Sequence, residues 1–164
     1  MIQRVQTLLL LAIVIIGVIL FFIPVLQFTS YESADVQQMY ELTALELEDV
    51  TPYTISTPDS VPSLNGLWGL TLTTALIPLL ALVDIFLYRK RLLQARLNIF
   101  LACLCLGYYA VLFTFAWFGK TNLQCDWSIC FGACLPLVCL VLTLMATRRI
   151  LKDEALVRSA DRLR

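Results

Sequence analysis

Asp84 is the one charged residue inside the apolar segments of this 164-residue chain, and it is the first place to look for chemistry. A carboxylate within a membrane is costly, so such a residue faces a helix interior or water and takes a partner. Its position four residues before Tyr88 puts it about 6 Å inside the end of its segment. An ion pair with Arg4 or Arg96 is the expected role, and a proton or cation site is the sharper alternative. No second acid, histidine or lysine accompanies it inside the segments to form a relay. The six cysteines are the other reactive groups. Cys125 and Cys130 fall in or beside a connection, where an oxidising compartment would let them form a disulfide. Cys103, Cys105, Cys134 and Cys139 lie in apolar runs, where Cys acts as a small hydrophobe. The chain has no histidine, which excludes a Ser-His-Asp triad and His-ligated metal. It has no G-x-x-x-x-G-K-[ST] loop for nucleotide phosphates either. No catalytic constellation and no cofactor are expected.

The segments that would position these groups are unusually apolar. Hydrophobic residues make up 60% of the chain, against 45–50% in ordinary soluble domains. Four runs carry no charge at all: Val5–Tyr31, Ser60–Val83, Leu97–Gly119 and Trp127–Thr147. Each holds roughly 20 apolar residues, the length a helix needs to cross a hydrocarbon core. They are hydrophobic all round and continuous, which favours helices in lipid over a soluble bundle or a β-barrel. The expected fold is an all-α membrane protein, a four-transmembrane-helix bundle forming one domain. Its spans are about 5–27, 67–88, 97–119 and 129–147. Pro24 should bend the end of the first, and Pro136 should kink the fourth near Gly132. The first span reads as an uncleaved anchor, too long for a signal h-region and without an A-x-A site. The loop 28–66 could carry a small β-hairpin, from the Leu45–Glu48 alternation and Val50–Thr57, or a short amphipathic helix.

Charge is balanced overall but segregated along the chain. The loop carries Glu32, Asp35, Glu41, Glu46, Glu48, Asp49 and Asp59 with no Lys or Arg. Arg89, Lys90, Arg91 and Arg96 follow the second span, and the tail 148–164 carries six more basic residues. By the positive-inside rule both chain ends are cytoplasmic and the acidic loop is extracytoplasmic. Trp68, Trp117, Phe118 and Trp127 would then line the outer interface.

Helices in lipid associate through small residues. Gly132, Pro136, Cys139, Thr143 and Ala146 form such a face on the fourth span, and Cys103, Gly107, Ala110 and Thr114 form one on the third. The two faces are expected to meet. On the second span Thr74, Pro78, Ala81, Asp84 and Tyr88 share a side. The fourth helix should continue into the cytoplasm, where Lys152, Asp153, Glu154, Arg158, Asp161 and Arg162 interleave both signs of charge. The plain expectation is a solvated charged helix that anchors the fourth span; since a membrane stop signal needs only a few basic residues, the functional alternative is a helix that docks a protein partner.

The opening Met1-Ile-Gln-Arg-Val-Gln-Thr and the closing Arg148-Arg-Ile-Leu-Lys-Asp-Glu-Ala-Leu-Val-Arg-Ser-Ala-Asp-Arg-Leu-Arg164, with four spans between, resemble a bacterial family of uncharacterised small integral membrane proteins. That family is known only as a domain of unknown function. The resemblance covers the whole chain and implies a multi-pass bacterial inner-membrane protein, with no activity or catalytic residues attached. The expected role is non-enzymatic: a subunit, scaffold or accessory factor of a larger membrane assembly. Its partners would be the lipid bilayer and a membrane protein or a second copy of the chain, with no nucleic acid. The alternative is a small transporter or a membrane thiol/quinone oxidoreductase. Oxidoreductases of that kind share the four-span plan but use a C-x-x-C pair, which is absent here.

Overall fold

The computed structural model describes residues 2–32, 35–49, 67–87, 91–123 and 126–161. Four helices dominate: α1 (Ile2–Ile19), α2 (Leu67–Phe86), α3 (Arg91–Leu123) and α4 (Leu135–Asp161). Each packs against two others in cyclic order, α1 on α2 and α4, and α3 on α2 and α4. Leucine, isoleucine, valine and phenylalanine side chains stay exposed along all four. That is the pattern of helices whose outer surface has an apolar solvent. Among the described residues three stretches are long and apolar enough to cross a membrane: Trp68–Phe86, Leu92–Trp117 and Phe131–Lys152. The described apolar stretch of α1, Gln6–Ile19, is shorter.

α1 ends at Ile19, well before the expected Gln27. Leu20 still bonds to the Ile16 carbonyl, but Phe21 and Phe22 tighten to i→i+3 bonds with Val18 and Ile19. Pro24 then has no N–H to continue the ladder, and it disfavours helical geometry at Ile23. The chain leaves as a strand. β1 (Leu26–Glu32), β2 (Asp35–Leu42), β3 (Leu47–Asp49) and β4 (Asp126–Ile129) form an antiparallel sheet in the order β3-β2-β1-β4. Leu26 faces Leu42 on one side and Ile129 on the other; Phe28 faces Tyr40 and Trp127. The strand alternation buries Leu26, Phe28, Tyr40, Leu42 and Leu47 in one continuous core with the helices. The sheet therefore closes one end of the helix array.

The hairpin at this end joins β2 to β3 through a turn in which the Thr43 hydroxyl donates to the Glu46 carbonyl at 2.9 Å. The second expected strand, Val50–Thr57, lies outside the described residues. The Thr71 hydroxyl on α2 donates to the Ala44 carbonyl at 2.6 Å and pins that turn to the helix.

Two expectations about helix geometry are corrected. Pro136 does not kink a span, because a 3₁₀ turn (Phe131–Cys134) precedes α4 and Pro136 is its second residue. In a first helical turn the missing N–H breaks no intrahelical bond. Cys103, Gly107, Ala110 and Thr114 of α3 are exposed, and do not meet α4. The packed face of α3 is Leu101, Ala102, Cys105, Tyr108, Leu112 and Ala116. Gly132 of the 3₁₀ turn and Pro136, Cys139, Thr143 and Ala146 of α4 are all buried, and Gly132 packs against the backbone at Pro24.

Candidate functional site

Asp84 sits one turn from the end of α2, where helix carbonyls lose their intrahelical donors. Its own carbonyl is taken up twice: by the Leu87 N–H at 3.2 Å and by Gln94 Nε2 of α3 at 3.3 Å. That contact makes α2 and α3 neighbours at the end away from the sheet. Thr74 beside Tyr108 makes them neighbours nearer the sheet, so the two helices run antiparallel.

The side chain of Asp84 is 1% exposed, and neither carboxylate oxygen has a hydrogen-bond partner among the described residues. The expected ion pair with Arg96 is not formed: Arg96 is exposed on α3, one helical step off the buried face carrying Ala95 and Asn98. The side chain of Arg4 lies outside the described part of the chain. Asp84 is not alone in the interior. Gln94 and Asn98 of α3 are buried four residues apart on one helix face. Both polar atoms of the Asn98 amide are also without a partner. Thr143 and Thr147 of α4 are buried, with hydroxyls donating to Cys139 O at 2.7 Å and Thr143 O at 2.8 Å. Gln6 completes the set from α1. Of the buried polar side chains among the described residues, only Thr74 lies elsewhere, bonded to Leu70 O at 2.8 Å. Among the described residues α1, α3 and α4 thus send uncharged polar groups, and α2 one acid, into the end opposite the sheet.

A second feature lies at the sheet end. A groove of about 690 Å³ between α3, α4 and the sheet is lined by carbon from Leu26, Phe113, Trp127, Ile129 and Leu137. Its one large polar neighbour, Tyr109, has its hydroxyl committed to Ala133 O at 2.7 Å.

Residues 2–163 match the profile of a family described as a domain of unknown function, DUF4293. The chain belongs to that family. No curated protein matches it. The DUF4293 description assigns no activity, so the polar interior is the feature of this family member with the most chemical content.

In this DUF4293 chain Cys130 lies between β4 and the 3₁₀ turn, half-buried, its backbone N–H bonded to Val25 O at 3.1 Å. Burial, and secondarily the Glu41 carboxylate, push its thiol above the ordinary range. Cys125, its expected disulfide partner, is outside the described residues. Cys105 and Cys139 are buried in the common core, whereas Cys103 and Cys134 are exposed. Among the described residues no three His, Cys, Asp or Glu side chains come together as a metal site. Of the docking candidates, Lys152 is exposed on α4, which continues as helix to Asp161. The side chains of Asp153, Glu154, Arg158 and Asp161, and all of Arg162, lie outside the described part.

Sequence reading singled out Asp84 and missed Gln94 and Asn98. The signal was present: Asn98 interrupts the Leu97–Gly119 apolar run, and Gln94 precedes it at helical spacing.

Proposed function

We propose that this chain is a four-span protein of the bacterial inner membrane, with both ends in the cytoplasm and the sheet outside. We assign it a non-enzymatic role as a subunit or accessory factor of a larger membrane assembly. α1 serves as the first span: its 18 residues extend about 27 Å, close to the hydrocarbon thickness, and the turn after it adds to that reach. The orientation rests on the charge pattern, with the acidic strands at one end and the Arg89–Arg91 connection at the other. Trp68 and Trp117 are largely exposed at the sheet end of their helices, where amphipathic rings favour a headgroup region.

The observation that carries the subunit reading is the length of α4. Its apolar stretch stops at Lys152, yet the helix runs to Asp161, about 13 Å further, through a sequence of alternating charge. A span needs no such extension, whereas a helix-recognition surface does. Deleting Lys152–Arg164 should leave membrane insertion intact and abolish a stoichiometric partner, or self-association, seen on purification in mild detergent. Retention of every associated chain after the truncation would refute the reading.

A transporter reading is favoured by one specific observation, the unpartnered Asp84 and Asn98. No comparable observation favours a thiol/quinone oxidoreductase.

A further inference from the structure

We infer that Asp84 and Asn98 form a binding site for one monovalent cation, Na⁺ or H⁺, inside the helix array. Two fully buried polar side chains of neighbouring helices both lack a hydrogen-bond partner among the described residues. Their directions bring them together. Side chains on a helix lean toward its N-terminus. On antiparallel α2 and α3, Asp84 therefore leans away from the 88–90 connection and Asn98 leans toward it. The Gln94 contact with the Asp84 carbonyl fixes the register that makes these two leanings converge.

The chemistry selects the ligand. The buried polar groups that α1 and α3 bring to this end of the helix array are uncharged: Gln6 from α1, and Gln94 and Asn98 from α3. Further in, α3 adds Cys105 and Tyr108, and α4 contributes Thr143, Thr147 and Cys139. Arg96 points outward and the side chain of Arg4 is outside the described part, so no described base neutralises the carboxylate. An isolated carboxylate cannot remain charged there without a large desolvation cost. An anion would add to that cost, and water would leave the charge in place. A divalent cation would leave a net positive charge and requires more oxygen ligands than one carboxylate and one amide provide. A single positive charge cancels the carboxylate, and the amide oxygen of Asn98 supplies a hard ligand for Na⁺ or an acceptor for the Asp84 O–H. The threonine hydroxyls have spent their protons on backbone carbonyls and present only oxygen lone pairs to the interior.

The site is independent of whether α4 docks a partner. The test is thermal unfolding of the purified full chain in detergent, followed by tryptophan fluorescence. It is run in NaCl, KCl and choline chloride of equal ionic strength, at pH 5.5 and pH 8. At saturation the midpoint should rise by about 5 °C relative to choline at pH 8. A rise with NaCl at constant pH identifies sodium, and a rise only on acidification identifies the proton. Asp84→Asn keeps the shape without the charge, and should abolish the dependence while unfolding at or above the saturated wild-type midpoint. Asn98→Leu should weaken the apparent affinity about tenfold, the cost of one lost ligand at a buried charge. Midpoints for the unaltered chain that are the same in all three salts and at both pH values would overturn the proposal. So would a dependence that persists undiminished in Asp84→Asn.

Discussion

Gly17 of α1 rests on the ring of Pro78 in α2, and this contact yields the most quantitative prediction. A Cβ added at Gly17 would lie 3.0 Å from both Cβ and Cδ of Pro78 and 3.2 Å from Cγ. Carbon atoms in comfortable contact are about 3.5–4.0 Å apart, so Gly17→Ala forces the two helices apart by roughly half an ångström. The pyrrolidine ring has no rotamer by which to retreat. Overpacking of this size costs about 1–3 kcal/mol, while replacing a mid-helix glycine by alanine returns about 0.5–1 kcal/mol. The net expectation is a loss of up to about 2.5 kcal/mol. Gly107→Ala is the matched control, because its added Cβ meets nothing within 4 Å. It should be neutral or stabilising by up to about 1 kcal/mol. Reversible unfolding in mixed detergent micelles, read by tryptophan fluorescence, measures both. Pro78→Ala removes Cγ and Cδ, so in that background Gly17→Ala should cost less, with a coupling of at least about 0.5 kcal/mol. A Gly17→Ala protein as stable as the Gly107→Ala control, or strict additivity with Pro78→Ala, would refute the contact.

Three further outcomes follow from the sheet end. Gly132→Ala should destabilise more than Gly17→Ala, by about 2–3 kcal/mol in the same assay, because its Cβ meets the backbone carbonyl of Pro24 and lies 3.0 Å from Ile23 Cγ2. Thr71→Val should cost about 1–2 kcal/mol by orphaning the Ala44 carbonyl, and hydrogen exchange at Thr43–Leu47 should quicken. Cys130 should alkylate slowly at pH 7, because a raised thiol pKa lowers the thiolate fraction at any given pH. Its rate, followed by mass spectrometry of the labelled peptide, should keep rising beyond the pH at which an ordinary thiol levels off, and Glu41→Gln should accelerate it at pH 8.

The three long helices were readable from charge-free runs because lipid leaves no use for a polar face. α2 begins at the expected Leu67 and ends two residues early, while α3 extends past its apolar run at both ends, to Arg91 and Leu123. Hydropathy marks where a span meets water, not where hydrogen bonding stops. The sheet was the harder problem. Leu26 and Phe28 sit in an apolar run that suits a helix or an alternating strand, and only Pro24 tips the balance. β4 is short, and its partner β1 lies about a hundred residues away in sequence, so no local pattern announces it. Small-residue spacing succeeded on α4 and failed on α3 for a related reason. A stripe of small residues states that close approach is permitted, but the partner's bulk decides whether it happens. At the polar interior one acid stood out on its own, whereas Asn98 gains meaning only from its burial without a hydrogen-bond partner among the described residues.

Val25 holds an awkward place in the order of synthesis. Its N–H is satisfied by Leu42 as soon as β2 emerges, but its carbonyl waits for the N–H of Cys130. At ordinary ribosomal rates of about 5–20 residues per second, roughly 5–20 s separate the two events. Throughout that interval the β1 edge that will receive β4 is bare, open to any extended peptide that finds it. A nascent chain stalled after α2 should therefore be the form most prone to pairing with another copy of itself or with any other bare strand edge.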